Sequence, residues 1–204
     1  AQQAGFTIRE DALDRALAYI EETLAQGLQS TEVRPHYALA LYVLSEAEHT
    51  QPTSAGGNLY AGREQLGIAG RAFLAMALSM ADPSDPLVTT LLEELRAEAF
   101  ITATGAHWEE ADADEWQTNT QATSVALLAL ERLAPDDPLL PQIVRWLMIA
   151  RRGDRWETTY ETAWAVIALT DYLTATGEIE ASYPWGVALN GRPLASGEMT
   201  ADTI

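Results

Sequence analysis

The densest group of reactive side chains in this 204-residue sequence lies at 107–116, His107-Trp108-Glu109-Glu110-Ala111-Asp112-Ala113-Asp114-Glu115-Trp116. An imidazole beside five carboxylates offers the parts of glycoside hydrolysis, in which one carboxylic acid protonates the leaving oxygen and a second carboxylate acts across the sugar ring. His107 with Trp108 reads equally as an acid/base with a stacking partner. The indoles of Trp108, Trp116 and, further on, Trp156 all precede apolar helices and suit stacking on a sugar or another hydrophobic ligand. Each feature has a plainer reading. Consecutive loop acids in a chain of formal net charge −18 are a solvated surface, a histidine in such a loop bonds its own backbone, and indoles at recurring places in a repeat wedge successive units together. The ligand or interface candidates are therefore His107, Trp108, Glu109, Asp112, Trp116 and Trp156, and no residue is assigned as catalytic.

Other chemistry is thin. Glu46-x-x-His49 has the i, i+3 spacing of a carboxylate and imidazole metal pair, but neither His36 nor His107 supplies the second pair such a site needs. No metal and no cofactor are expected. With no cysteine anywhere, disulfides, thiolate metal sites and cysteine nucleophiles are excluded from this segment. Asp112-Ala-Asp-Glu115 half-resembles the acid motif of polyprenoid cyclases, yet it lacks the run of adjacent aspartates, and three Phe do not line a cavity for carbocations. Twelve Lys and Arg spread along an acidic chain make no phosphate-binding stripe, so nucleic acid is not a partner. No continuous apolar run is long enough for a membrane span. The start, Ala1-Gln-Gln-Ala-Gly-Phe, has neither a basic nor an apolar leader region. It opens almost directly on a helix cap without an initiating Met, and reads as a piece of something larger.

The elements that must position these residues form a repeat. Trp116-Gln-Thr-Asn-Thr-Gln leads into Thr123-Ser-Val-Ala-Leu-Leu-Ala-Leu130, and Trp156-Glu-Thr-Thr-Tyr-Glu leads into Thr162-Ala-Trp-Ala-Val-Ile-Ala-Leu169, an offset of 165 − 126 = 39 between the shared Ala-x-x-Ala-Leu elements. Capping boxes are expected at Thr118 with Gln121 and at Thr158 with Glu161, where a Thr hydroxyl accepts from the first-turn amides and the third residue on reaches back. Asp85-Pro86-Leu87 and Asp137-Pro138-Leu139, offset by 137 − 85 = 52, start a second, amphipathic kind of helix by an Asp cap and a first-turn Pro. Ala72-Phe-Leu-Ala75-Met76 is a weaker copy of the first kind. Two helix types alternating at a variable period mark a helical repeat, whose hairpins cannot bury their faces alone.

Taken in order, Thr7-Ile-Arg-Glu10 is a capping box opening a helix over 8–26. Ser30 and Thr31 open the next, whose body Tyr37-Ala-Leu-Ala-Leu-Tyr-Val-Leu44 is apolar all round, as an inner helix would be. Residues 50–58 read as a loop, 63–81 as the third helix and 102–117 as the longest loop. After Gly177 the texture changes to a β-hairpin, with strands on either side of a type I′ Asn190-Gly191 turn. The fold class expected is all-α, a partial α/α toroid-like array of helical hairpins over 1–177, with a short C-terminal β-hairpin over 178–204. A lone hairpin is not independently stable, so its place is in an adjacent β-domain.

One stretch also carries a family likeness. Arg145-Trp-Leu-Met-Ile-Ala-Arg-Arg-Gly-Asp-Arg-Trp-Glu-Thr-Thr-Tyr-Glu-Thr-Ala-Trp-Ala-Val-Ile-Ala-Leu169 closely resembles the end of the thioester domain of bacterial alpha-2-macroglobulins, where a Trp-Leu helix and an Arg-Arg-Gly turn precede Trp-x-[Ser/Thr]-Thr-x-[Glu/Asp]-Thr. His107-Trp108 followed by Trp116-Gln-Thr-Asn-Thr is similar to the family's preceding turn. Tyr183 to Gly197, with Leu189-Asn190-Gly191, is similar to the hairpin by which its chain returns to the β-sandwich. The resemblance is strongest over about 105–195. It implies an α/α toroid within a broad-spectrum protease trap, in which bait cleavage collapses the molecule and an exposed thioester captures the attacking protease. The thioester needs Cys-x-Glu-Gln, which lies upstream of the matched stretch in the family, so no reactive residue carries over to this chain. The resemblance further implies a periplasmic or extracellular location with a membrane-anchored parent possible, and as partners the neighbouring domains of the same parent chain and, through the full-length protein, target proteases. The alternative from another class is a small α/α-toroid enzyme or glycan-binding domain that uses the acidic loop 106–117. A peptide-binding helical adaptor is disfavoured, because the inner helices are too uniformly apolar.

Overall fold

The structure is a computed structural model that describes residues 9–28, 34–49, 53–111, 117–177 and 182–200. Among these residues the chain is mostly helical with two small antiparallel hairpins: α1 (Glu10–Gly27), α2 (Pro35–Glu46), α3 (Thr53–Ala61), a 3-10 turn (Arg63–Gln65), α4 (Gly67–Ala81), α5 (Pro86–Ala97), β1 (Phe100–Thr102), β2 (Gly105–His107), α6 (Asn119–Leu133), α7 (Leu140–Ala150), α8 (Thr159–Thr176), β3 (Tyr183–Leu189) and β4 (Arg192–Met199).

The helix ends follow from local chemistry. The Asp85 carboxylate accepts the Leu87 N–H at 2.8 Å and Pro86 occupies the first position of α5, where a missing N–H costs nothing. At α8 both halves of the capping box are made: the Thr158 hydroxyl accepts the Glu161 N–H at 3.1 Å, and the Glu161 carboxylate accepts the Thr158 N–H at 2.9 Å. Gly177, at φ +71°, closes that helix in the left-handed conformation that a side chain would resist.

Two helix types alternate. α4 is buried on all sides over Ile68 to Leu78, and α6 over Gln121 to Leu130. By contrast α5 buries one stripe, Val88, Leu91, Leu92 and Leu95, and α7 buries Leu140, Ile143 and Leu147. The inner helices pack in the order α2, α4, α6, α8; α1 covers α2, α5 covers α4, α7 covers α6, and α3 lies against both α2 and α4. Apolar burial along this inner row supplies the main driving force, at roughly 25 cal/mol per Å² removed from water. The inner helices run in one direction, for their first turns line a common cleft. At the opposite ends Arg132 of α6 donates to the Tyr42 hydroxyl (3.0 Å) and Glu46 (3.4 Å) of α2 and to Asp171 (2.8 Å) of α8.

Several expectations need correction. Residues 53–58, read as loop, belong to α3. Gly56 fits there because a Cβ would collide with Leu78 of α4, so the glycine marks a close helix contact rather than a turn. Residues 102–107, read as the start of the longest loop, belong to a hairpin over 100–107 with Thr102 opposite Gly105. Gly105, at φ +129°, leaves no room for a Cβ against the α7 backbone at Gln142 and Trp146, which is how β2 comes to lie on α7. At α7 Asp137 does accept the Leu139 N–H at 2.9 Å, but the α-helix starts at Leu140, two residues after Pro138. Thr118 accepts the Gln121 N–H at 3.1 Å, whereas Gln121 does not reach back to complete a box. The first helix is capped at Arg9 without a side-chain bond, and Thr7, Ser30 and Thr31 lie outside the described residues.

β3 and β4 pair across Asn190 (φ +51°) and Gly191 (φ +79°), the two left-handed positions of a type I′ turn. Residues 183–198 are exposed throughout.

Candidate functional site

The candidate residues of 106–117 divide between burial and solvent. Trp108 is fully buried: its indole N–H donates to the Leu95 carbonyl in the last turn of α5 at 2.7 Å, and its backbone N–H donates to the Thr123 hydroxyl of α6 at 3.1 Å. Trp156 repeats the arrangement, donating its indole N–H to the Leu147 carbonyl of α7 at 3.0 Å and its backbone N–H to the Thr162 hydroxyl of α8 at 3.1 Å. Neither presents a ring face to a ligand, which corrects the stacking role for both. Each is a wedge whose polar end is satisfied inside the fold.

His107 and Trp108 do not work as a pair. The His107 ring stacks on Trp146 of α7, with centroids 4.7 Å apart and planes 2° from parallel, and Phe100 lies at 5.7 Å on β1. Its Nε2 stands 3.5 Å from the Glu109 carboxylate, and its Nδ1 is buried without a hydrogen-bond partner. Glu109 itself faces solvent.

Glu110 departs furthest from the acidic-surface reading. Its carboxylate accepts the N–H groups of Ile68 (3.1 and 3.2 Å) and Ala69 (3.1 Å), so it caps α4 from 42 residues away. Gly67, at φ +63°, allows this, since a Cβ there would run into the carboxylate. Asn119 fixes the loop by accepting the Glu110 N–H at 3.0 Å. Burial pushes the Glu110 carboxyl above the ordinary glutamate range, against the pull of the Ala69 and Ile68 amides and of Arg71. A carboxylate held this way is a helix cap, not one of two acids facing a glycosidic bond. Asp112, Asp114, Glu115 and Trp116 lie outside the described residues.

Glu46 and His49 turn to different partners, Arg132 and Glu21, the latter 3.2 Å from the His49 Nε2. Among the described residues no group of three His, Asp or Glu is placed to hold a metal, and no helix is long and apolar enough to cross a membrane.

No protein-family model and no curated protein matches this chain. Two features bear on function: a truncated toroid is expected to leave an open apolar flank, though spacing alone does not say which residues form it, and the second was not expected. One is the apolar surface at the end of the array: α8 is apolar on nearly every side, yet it buries only Glu161, Ala165 and Ala168, leaving Val166 and Ile167 exposed, and α7 leaves Met148 and Ile149 exposed. Its inner-type composition against one-sided burial was the available signal. The other is the buried Gln121 of α6. Its type and position suggested a capping partner, and its unused carbonyl is visible only once the neighbouring helices are in place.

Proposed function

We propose that this chain is a structural part of a bacterial alpha-2-macroglobulin-like broad-spectrum endopeptidase inhibitor, carrying helical hairpins of a thioester-type α/α toroid and the hairpin that joins the adjacent β-sandwich. The observation that carries this reading is the β3–β4 ribbon. Tyr183, Trp185, Val187 and Leu189 alternate along β3 and so share a face for much of its length, and all four are at least 40% exposed. A two-stranded ribbon with one apolar face is marginal in water and gains stability when further strands or a second layer cover it. A neighbouring β-domain of the same parent chain supplies both.

The apolar side chains that α7 and α8 leave exposed support a ring with further hairpins, as does the regular alternation of inner and outer helices. The Arg145 to Leu169 stretch adds its family likeness: the Trp-Leu of α7, the Arg-Arg-Gly turn and the Trp-x-Thr-Thr cap of α8 stand in the family's order. In this reading the chain has no catalytic residue. It completes the toroid and presents a surface that the macroglobulin domains cover until protease cleavage releases them, in a periplasmic or extracellular parent.

The test is on the full-length protein that contains this chain. Its reading frame is expected to carry macroglobulin-type β-domains on both sides of this segment. Trypsin added to the purified protein is expected to be retained and screened from a protein substrate while still cleaving a small peptide. Where Cys-x-Glu-Gln is present upstream, methylamine incorporates at its glutamine and abolishes covalent capture. A frame without such β-domains, or trypsin left fully active on protein substrates, contradicts the proposal.

A further inference from the structure

All twelve basic residues of this chain are arginines, and four of them, Arg145, Arg151, Arg152 and Arg155, lie on α7 or in the turn that leads from it to α8. Elsewhere the guanidiniums serve the fold: Arg63 pairs with Glu94, Arg71 with Glu98, Arg96 with Asp137 and Arg132 with Asp171. In and before the turn they do not. Arg145, Arg151 and Arg155 are exposed and have no carboxylate partner among the described residues, in a chain that carries 30 acidic side chains. Arg152 has Glu157 at 3.1 Å, with both side chains open to water, and such exposure makes the pair weak.

The backbone gathers these charges. The Arg152 N–H donates to the Arg155 carbonyl at 2.8 Å, and Gly153, at φ +72°, turns the chain between them. Residues opposite each other in an antiparallel bridge project to the same side, and like charges so placed repel. On α7, Arg145, Met148 and Ile149 stand at i, i+3 and i+4, so they share a helix face, and that face is turned to water, with Met148 45% and Ile149 59% exposed. Asp154 and Glu157 offset two of the four charges. A surplus of guanidiniums thus follows directly on an apolar stripe.

The chemistry that meets this surface is a carboxylate next to an apolar side chain. Guanidiniums take carboxylates in bidentate pairs, and a carboxylate between Arg152 and Arg155 relieves their repulsion. The rest of the chain limits the size of the partner. At physiological salt charges are screened over about 8 Å, so a short acidic segment meets chiefly the turn. A nucleic acid or an anionic bilayer extends further, over a chain whose formal net charge is −18.

We propose that the exposed face of α7 and the turn over 151–155 dock a short acidic peptide segment of a partner protein, one that carries apolar side chains among its Asp and Glu residues. This assignment needs only this chain and stands apart from the protease-trap reading.

The probe is the octapeptide Glu-Glu-Leu-Asp-Glu-Leu-Glu-Glu, titrated into the full chain and followed by 1H–15N spectra. It is expected to shift the amides of Ile149, Arg151, Arg152, Gly153 and Arg155 to saturation. The same peptide with Gln and Asn for its acids is expected to bind at least about ten-fold more weakly, and one with Ser for Leu about five-fold more weakly. The double variant Arg151→Gln, Arg155→Gln changes two exposed side chains, leaves the spectrum of α4 and α6 in place and is expected to weaken the acidic peptide about ten-fold. On the wild-type chain alone, shifts that never saturate or that fall elsewhere overturn the proposal, and so does equal affinity for either control peptide. An unchanged affinity in the double variant overturns it as well. So does tighter binding, at the same amides, of phosphatidylglycerol vesicles or of single-stranded poly-dT, since the turn is then a polyanion site.

Discussion

Trp108 and Trp156 hold the same place in two successive helical units, each donating its indole N–H to a leucine carbonyl in the last turn of an outer helix and its backbone N–H to a threonine hydroxyl of the next inner helix. The separations explain the two repeat offsets. Trp108 follows Leu95 by 13 residues and precedes Thr123 by 15, whereas Trp156 follows Leu147 by 9 and precedes Thr162 by 6. The first unit is therefore longer by 13 − 9 = 4 residues before the indole and by 15 − 6 = 9 after it, which together make up the difference 52 − 39 = 13 between the outer-helix and inner-helix offsets. The nine extra residues lie between Trp108 and Thr123, the part of the sequence that holds the acidic run.

Trp108→Phe removes a buried donor, strands the Leu95 carbonyl and leaves a small void. It is expected to lower the unfolding free energy by about 2–4 kcal/mol. Trp156→Phe acts in the same sense but less, since α8 is half in solvent. Urea unfolding followed by far-UV circular dichroism measures both.

Asp85 and Asp137 are equivalent in the repeat and differ in their surroundings. Both accept an N–H two residues on, but Asp137, with its side chain 2% exposed, also binds the Arg96 guanidinium at 2.6 Å. Asp85→Ala is expected to cost about 1 kcal/mol as a lost cap, and Asp137→Ala about 2 kcal/mol, because an ion pair whose carboxylate is buried goes with the cap. Equal losses in urea unfolding contradict the role given to Arg96.

Local signals carried much of this fold. The Asp85 and Thr158 caps and the Asn190-Gly191 turn were legible because each is decided by residues a few positions apart. The pairing of Trp116 with Trp156 was misleading for the opposite reason: the nearest upstream Trp matched the pattern, while the true equivalent, Trp108, is defined by contacts to another helix. α3 was hidden because Gly56 reads as a turn residue when its close neighbour, Leu78, is not in view. Glu110 looked like one surface acid among five, and only its reach to the start of α4 sets it apart.

Glu110 makes a pH prediction. Its folded carboxyl lies above the ordinary glutamate range, chiefly from burial, so the folded state binds its proton more readily than the unfolded state. Its contribution to stability is therefore largest below the unfolded value of about 4.3 and is lost as pH rises through the raised folded value. Glu110→Gln keeps an acceptor for Ile68 and Ala69 and cannot titrate. The stability of the wild type relative to Glu110→Gln is expected to rise as pH falls from 7 toward 4.5, measured by urea midpoints on both proteins. A flat difference contradicts the assignment. Glu110→Ala, with no acceptor for either amide, is expected to cost about 1–2 kcal/mol at pH 7.

The β3–β4 ribbon is exposed from Tyr183 to Glu198 and adds little to the helical array. Removing residues 182–204 is expected to change the unfolding free energy of the helices by less than about 0.5 kcal/mol, read from the far-UV transition of the two chains. A larger loss would mean that the hairpin is packed on the helices.

Hydrogen exchange at the β3 and β4 amides, compared between this chain alone and the full-length protein, tests the scaffold reading most directly. In the isolated chain these amides are expected to exchange nearly as fast as in an unfolded peptide while α4 and α6 stay protected, and in the full-length protein they are expected to slow by about 100-fold or more as a neighbouring β-domain covers them. Ribbon amides that exchange equally fast in both, or that are already as protected as α6 in the isolated chain, contradict it.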